Sequence, residues 1–385
     1  MGQIIVLATP LFLAFIALEF WWSRKRAAGN PAHRFFGLSD SINSISLGML
    51  SQLSGALSKL LVLGIYTAVF KAAGSNHLQG LWSGVTGFLL ALVFYDFCYY
   101  WLHRAGHEVA VLWAAHVVHH QSQHYNLSTA LRQTSSGAWL GWIFYLPMAL
   151  AGVPPTLFAL AGLVDLLYQF WVHTEQIGKL GWFDRIFCSP SNHRVHHAVN
   201  ELYIDRNYGG ILVVWDRLFG SFQEELETCV YGTRSPLHSW DPLWANAEVY
   251  WALLLASVHA RHWTDKLRVW FKPPGWQSAA MAQAHPQKPF TLDSVTRFDP
   301  PLTRLQQGFA MLQFALALGA VAWLLWHIDA MAWTTALVQS AGVAAVIWMQ
   351  GRYLQHLLSA AQVLVVELCL IATFVFVQVL PVVMP

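Results

Sequence analysis

Residues 82–120 read WSGVTGFLLALVFYDFCYYWLHRAGHEVAVLWAAHVVHH, an apolar run that passes directly into a histidine pattern. The run at 82–102 is long enough to cross a bilayer, and it is followed by His103 and His107, then His116, His119 and His120. Further along, His173 stands alone, and His193, His196 and His197 repeat the HxxHH spacing. Spacings of i, i+3 and i+4 place imidazoles on one helix face, where they converge on one point. Packing gives no reason to repeat that spacing, so these nine of the 18 histidines are read as metal ligands. A tetrahedral site uses three or four donors, and nine neutral nitrogens therefore predict two ions.

Composition says where the centre lives. The chain is 56% hydrophobic, 14% aromatic and 11% charged, too apolar for a soluble globule. Apolar runs occur at 3–22, 42–70, 82–102, 136–153, 155–172, 307–328, 331–350 and 357–383. The first ends in Trp21-Trp22-Ser23-Arg24-Lys25-Arg26 without a small-residue cleavage site and reads as an anchor. The run at 42–70 carries Lys59 and is longer than a span needs, so a tilted helix or two pieces is expected. Gly152-Val153-Pro154-Pro155 divides 136–172 into a hairpin of two short halves.

The fold class expected is all-α, a polytopic integral membrane helical bundle with a cytoplasmic histidine-rich di-metal site. Residues 1–275 are expected to form a membrane-embedded domain carrying the histidines, with a cytoplasmic cap, 276–305 a linker and 306–385 a C-terminal segment of three spans. Arg24, Lys25, Arg26 and Arg34 follow the first span, while the next loop carries only Lys71. The first loop is therefore placed in the cytoplasm. Counting spans forward puts His103 and residues 173–306 on that side. In 239–276, Trp240, Trp244, Trp251, Trp263, Trp270 and Trp276 alternate with Arg261, Lys266, Arg268 and Lys272. That mixture suits one or two helices in the headgroup layer.

A net charge of +2 with no basic stripe gives no case for nucleic acid. Cys98, Cys188, Cys229 and Cys369 show no CxxC spacing, so neither disulfides nor a thiolate site is indicated. His33, His77, His238, His259, His262, His285, His327 and His356 fall outside the pattern and read as ordinary core or surface residues, while His124 fits no box. Asp96, Glu175 and Asp205 are the leading candidates to accept the second imidazole N–H and fix its tautomer, with Glu108 and Asp216 behind them. Asp96 lies seven residues before His103, about two helical turns away on the same face.

His103-Arg104-Ala105-Gly106-His107, His116-Val117-Val118-His119-His120 and His193-Arg194-Val195-His196-His197 resemble the three histidine boxes of the membrane fatty acid hydroxylase/sterol desaturase superfamily. The resemblance is greater to its alkylglycerol monooxygenase branch, through Asn126-Leu127-Ser128-Thr129-Ala130-Leu131-Arg132-Gln133, His173-Thr174-Glu175, and Tyr203-Ile204-Asp205 through Trp215-Asp216-Arg217-Leu218-Phe219-Gly220. It covers residues 1 to about 275. Gln123 stands where a glutamate is expected soon after the second box.

The resemblance implies a non-haem di-iron centre of two Fe ions that uses O2 to hydroxylate a lipid C–H bond. In the alkylglycerol branch that carbon lies beside an ether oxygen, and the hemiacetal falls apart to an aldehyde and glycerol. Tetrahydrobiopterin or an electron-donor protein supplies the electrons. A sterol or fatty-acyl hydroxylase or desaturase is the alternative within the superfamily. Imidazoles suit iron, and a catalyst in the bilayer meets apolar substrates there. Two other classes compete. A divalent-cation transporter holds its ligands along a path near the midplane, whereas these histidines cluster at helix ends. A zinc hydrolase needs three protein ligands and an open position, leaving most of the nine unexplained.

Overall fold

The computed structural model describes residues 2–29, 35–74, 78, 80–287 and 289–370. His33, Arg34, His77 and the 371–383 end of the last apolar run lie outside them. The described residues are helical, with two isolated bridges (Phe187 with Leu212, Ala198 with Tyr231) and no strand.

Among the described residues four helices are long and apolar enough to cross a membrane: α1 (Gly2–Gly29), α2 (Leu38–Ala73), α3 (Gly84–Glu108) and the Arg304–Ala330 segment. The outer faces of α1 and α3 are apolar and uncovered, with Leu7, Leu11 and Leu18 on α1 and Val85, Leu89 and Val93 on α3 all exposed. Rows of that kind are stable only against lipid. The 42–70 run lies within the single 36-residue helix α2 rather than in two pieces. Its Lys59 pairs with Asp329 at the end of the Arg304–Ala330 segment. Trp333–Leu354, expected as a span, falls outside the four and packs Ile347 with Met49, Leu53, Val321 and Leu324.

The hairpin forms where the sequence divides it. Gly152 takes φ 79°, a conformation open to glycine, and Pro155 occupies the first turn of the Pro155–Trp171 helix, where its missing N–H costs nothing. Tyr66 stacks on Phe158 with ring centroids 4.1 Å apart and donates to the Val153 carbonyl, closing the hairpin onto α2. Gly48 lets α2 approach the chain at Leu131 closely, since a side chain there would collide with the Leu131 carbonyl.

The tryptophan-rich segment forms two helices, Pro242–His259 and Trp263–Phe271. Trp263, Leu267 and Phe271 make an exposed row at i, i+4 and i+8 opposite the buried Asp265 and Val269. Trp240 differs from its expected interfacial place, being buried against Ile42, Met349 and Tyr353. The expected linker is also not free. The Gln123 amide donates to the Thr296 carbonyl at 2.8 Å and accepts from the Phe298 N–H at 2.8 Å, pinning 276–305 beside the second box. A glutamate at that position could accept but not donate.

Candidate metal centre

Three short pieces of chain bring the histidines together. His103 and His107 lie one turn apart at the end of α3, which stops at the extended Val109. His116, His119 and His120 follow across a broken turn ending in the four-residue helix Val117–His120. The third box lies on Pro190–His197, begun by Ser189, whose hydroxyl caps the Asn192 N–H, and by Pro190 in the first turn. All eight residues of that helix are buried. His173 follows directly on the Pro155–Trp171 helix, which returns the chain from the hairpin.

The nine converge as two groups that can each hold a metal ion. One is His103, His107, His116, His120 and His196; the other is His119, His173, His193 and His197. Within each group the candidate ligand atoms lie within 4.8 Å of one another. The groups adjoin, with the His120 and His197 rings stacked at 4.3 Å and the His193 and His196 rings stacked at 5.1 Å. Nε2 atoms face each other at 3.1 Å between His103 and His116, 3.1 Å between His116 and His120, and 3.2 Å between His119 and His173. Ligands about 2.1 Å from one ion at right-angle to tetrahedral angles stand about 3.0–3.4 Å apart. His107 Nε2 and His196 Nε2 are buried without a hydrogen-bond partner among the described residues. Crowded, orphaned nitrogens of this kind fit a cation between them.

Burial, reinforced by the neighbouring imidazoles, holds His116, His120, His193 and His197 well below the ordinary histidine range, and burial with the Arg132 charge lowers His119 to about 4. The donors are therefore neutral at physiological pH, the form that binds metal. Their orientation comes from backbone carbonyls. Nδ1 of His103 pairs with the Tyr208 carbonyl at 2.8 Å, His119 with Arg132 at 2.8 Å, His173 with Gln169 at 2.8 Å and His196 with Arg206 at 3.0 Å. A carbonyl only accepts, so in all four rings Nδ1 carries the proton and Nε2 is left as the donor atom.

The carboxylates expected in that role lie elsewhere. Asp96 accepts from the N–H groups of Ile211 and Leu212 and from the Trp215 indole, at 2.6, 3.1 and 2.8 Å, tying α3 to the cap. Glu108 pairs with Arg104, and Glu175 lies beside Arg194 and Tyr231. Asp216, raised to about 6 by burial, accepts from Tyr208 and Gly209. Only Asp205 approaches an imidazole, its Oδ1 3.8 Å from His107 Nδ1 with its side chain half exposed.

Two charged residues that the pattern did not single out matter here. Arg132 is 1% exposed, donates to the Val118 carbonyl and to Asn43 and Gln121, and supplies the carbonyl that holds His119. Glu19 of α1 accepts from the Leu127 N–H at 2.7 Å and from the Thr174 hydroxyl, joining the first span to the chain beside His173. An acid inside an apolar run was the signal for it.

Below the histidines an apolar cavity of about 450 Å³ opens among α1, α2, α3, Pro155–Trp171 and Arg304–His327, lined by Phe12, Met49, Leu102 and Val321 and reaching His103, His116, His119 and His173. That volume lies in the range of small-molecule sites.

The sequence profile of the fatty acid hydroxylase family matches residues 88–221. The chain is 36% identical to alkylglycerol monooxygenase of Homo sapiens over 81% of its own length and 68% of that protein. It is 37% identical to alkylglycerol monooxygenase of Danio rerio over the same shares, 81% and 68%. Ornithine lipid hydroxylase OlsE of Rhizobium tropici is 27% identical over 48% of this chain and 57% of that protein. No solved structure is a significant match.

Proposed function

This chain belongs to the fatty acid hydroxylase family, and from that premise we propose that it is a membrane monooxygenase that attacks the O-alkyl chain of an alkylglycerol ether lipid at the carbon beside the ether oxygen. One oxygen atom of O2 enters the C–H bond and the other leaves as water, with two electrons and two protons consumed. The hemiacetal so formed separates into a long-chain aldehyde and glycerol. The observation that carries this reading is two adjoining groups of neutral imidazoles at the mouth of one apolar cavity among membrane helices.

We assign His103, His107, His116, His120 and His196 to one iron and His119, His173, His193 and His197 to the other. When bound, the two irons supply the activation of O2 that no side chain can supply. The chain does the rest. Phe12, Met49, Leu102 and Val321 bind the alkyl chain and keep water from it. The carbonyls of Tyr208, Arg132, Gln169 and Arg206 keep four imidazoles turned inward. Gln169 also receives the Tyr99 hydroxyl and donates to Asp165, bracing α3 against the returning hairpin helix. The Lys and Arg asymmetry around the first span supports a cytoplasmic centre, where tetrahydrobiopterin or a donor protein can deliver electrons.

The test is purified protein in lipid nanodiscs with iron, a reductant and alkylglycerols of graded chain length, following O2 uptake and aldehyde. Aldehyde formation coupled to O2 is expected, rising with chain length by about 0.8 kcal/mol of binding per methylene until the cavity is full. Hydroxylated acyl chains or sterols without aldehyde would move the assignment to the other branch of the family.

A further inference from the structure

The segment Asp205–Gly209 alternates two kinds of residue. Asp205 and Asn207 have left-handed backbones, φ 57° and 56°. Arg206 and Tyr208, beside them, are the residues whose carbonyls accept from His196 and His103. A left-handed conformation is costly for any residue with a Cβ and is tolerated best by Asn and Asp. Two such residues alternating with two imidazole acceptors need a hold from outside the segment.

Asn207 has that hold. It is 2% exposed, and its side-chain amide donates to the Asn192 carbonyl at 3.0 Å and the Gln223 carbonyl at 2.8 Å while accepting from the Gln223 N–H at 2.8 Å. Asn192 is the residue before His193, so the same side chain ties the segment to the third box. The next residues are fixed by Asp216, which accepts from the Tyr208 and Gly209 N–H groups at 2.7 and 2.8 Å. Both histidines served by this segment belong to the five-membered group. The imidazole–carbonyl pairs of the other group run to Arg132 and Gln169, outside the cap segment.

We propose that Asn207 is a positioning residue for one metal ion only: it holds the Arg206 and Tyr208 carbonyls against His196 and His103 and so governs loading of the five-histidine group independently of the four-histidine group. This rests on the two-ion reading given above. Loss of an outer partner of a metal-bound histidine typically costs 10–100-fold in affinity.

The experiment is cobalt(II) binding to the full chain in detergent after chelation, read by visible absorption and by metal analysis after gel filtration. Wild type is expected to take up two ions. Asn207→Ala is expected to bind one of them about 10–100-fold more weakly while the second binds as in wild type. Asn207→Gly accepts the left-handed turn but loses the three side-chain bonds, and should show the same selective loss. Wild-type affinity for both ions in both variants would overturn the proposal. So would an equal loss of both ions in a variant with wild-type helical circular dichroism, or loss of that helical signal in both variants, which would assign Asn207 to the fold instead. Fewer than two ions in wild type would sink the two-ion reading itself and is a separate result.

Discussion

The two histidine groups differ in number and in what holds them. The group of five takes its pair from α3 and is steadied by a cap segment that crosses from outside, whereas the group of four is steadied by Arg132 and by Gln169 on the hairpin helix. A set of five that loses a ligand still offers a full four; a set of four falls to three, the fewest that hold an ion, and should bind it far more weakly. The difference teaches that one centre has two unequal halves. The richer half depends on the cap, and the leaner half on the membrane helices.

The largest effects should fall on the ligands. His119→Ala leaves three histidines in its group, and bound metal should drop to one ion per chain with turnover lost. His196→Ala leaves four in the other group, so two ions should still bind, one of them more weakly, although turnover is again lost. Metal analysis alongside O2 uptake separates the two. Equal stoichiometry in both variants would break the proposed inequality, and full turnover in either would remove that histidine from the centre.

The third box serves both groups, so loss of the ion pair made by a side chain of the box itself, rather than of a bond from the 205–209 segment to its first turn, should affect them together. Arg194 lies between His193 and Val195, pairs in a two-bonded fork with Glu225 at 2.8 and 2.7 Å, and donates to the Thr174 and Ile177 carbonyls. Glu225→Ala strands a buried cation at an expected cost of about 3–5 kcal/mol. Thermal unfolding of the metal-free protein should shift accordingly, and both ions should weaken in parallel. Loss of one ion alone would mean that the box is not shared rigidly.

The cavity reaches both groups, through His103 and His116 on one side and His119 and His173 on the other. Gly162 lies against it, and a Cβ there would stand 2.9 Å from the Tyr95 hydroxyl and 3.1 Å from its ring. Gly162→Val should push Tyr95 inward and displace about two methylenes of substrate, at about 0.8 kcal/mol each. The longest alkylglycerol should lose about tenfold in kcat/KM relative to a shorter one, with both ions still bound. A uniform loss at every chain length would place the alkyl chain elsewhere.

The sequence made the convergence of the nine histidines readable because their spacing sets imidazoles on one helix face. HxxxH and HxxHH cannot be mistaken for a packing pattern, and the Gly152–Pro155 turn announced the hairpin that brings the boxes to one place. What steadies those histidines was not readable, because every residue has a carbonyl and nothing in the letters says which one faces an imidazole. Asp96 shows the limit of spacing arguments: it shares the His103 face of α3, but at its level that face meets the cap segment at 211–215. Gln123 shows another, since its bonds to Thr296 and Phe298 span 173 and 175 residues.

The smallest expected effect sharpens the same contrast. Asp205 is the one carboxylate within 4.0 Å of an imidazole nitrogen among the described residues, and the sequence reading offered it as an acceptor for a box histidine. At 3.8 Å from Nδ1, beyond hydrogen-bond range, and with 51% of its side chain exposed, it contributes little once water screens it. Asn at this position accepts the left-handed backbone as readily as Asp, so Asp205→Asn removes the charge and leaves the path of the segment intact. Both ions should then bind within about threefold of wild type, well short of the 10–100-fold cost of losing a true outer partner. A tenfold or greater loss at the five-histidine group would mean that the carboxylate carries that group and that the carbonyls of Arg206 and Tyr208 merely lie nearby.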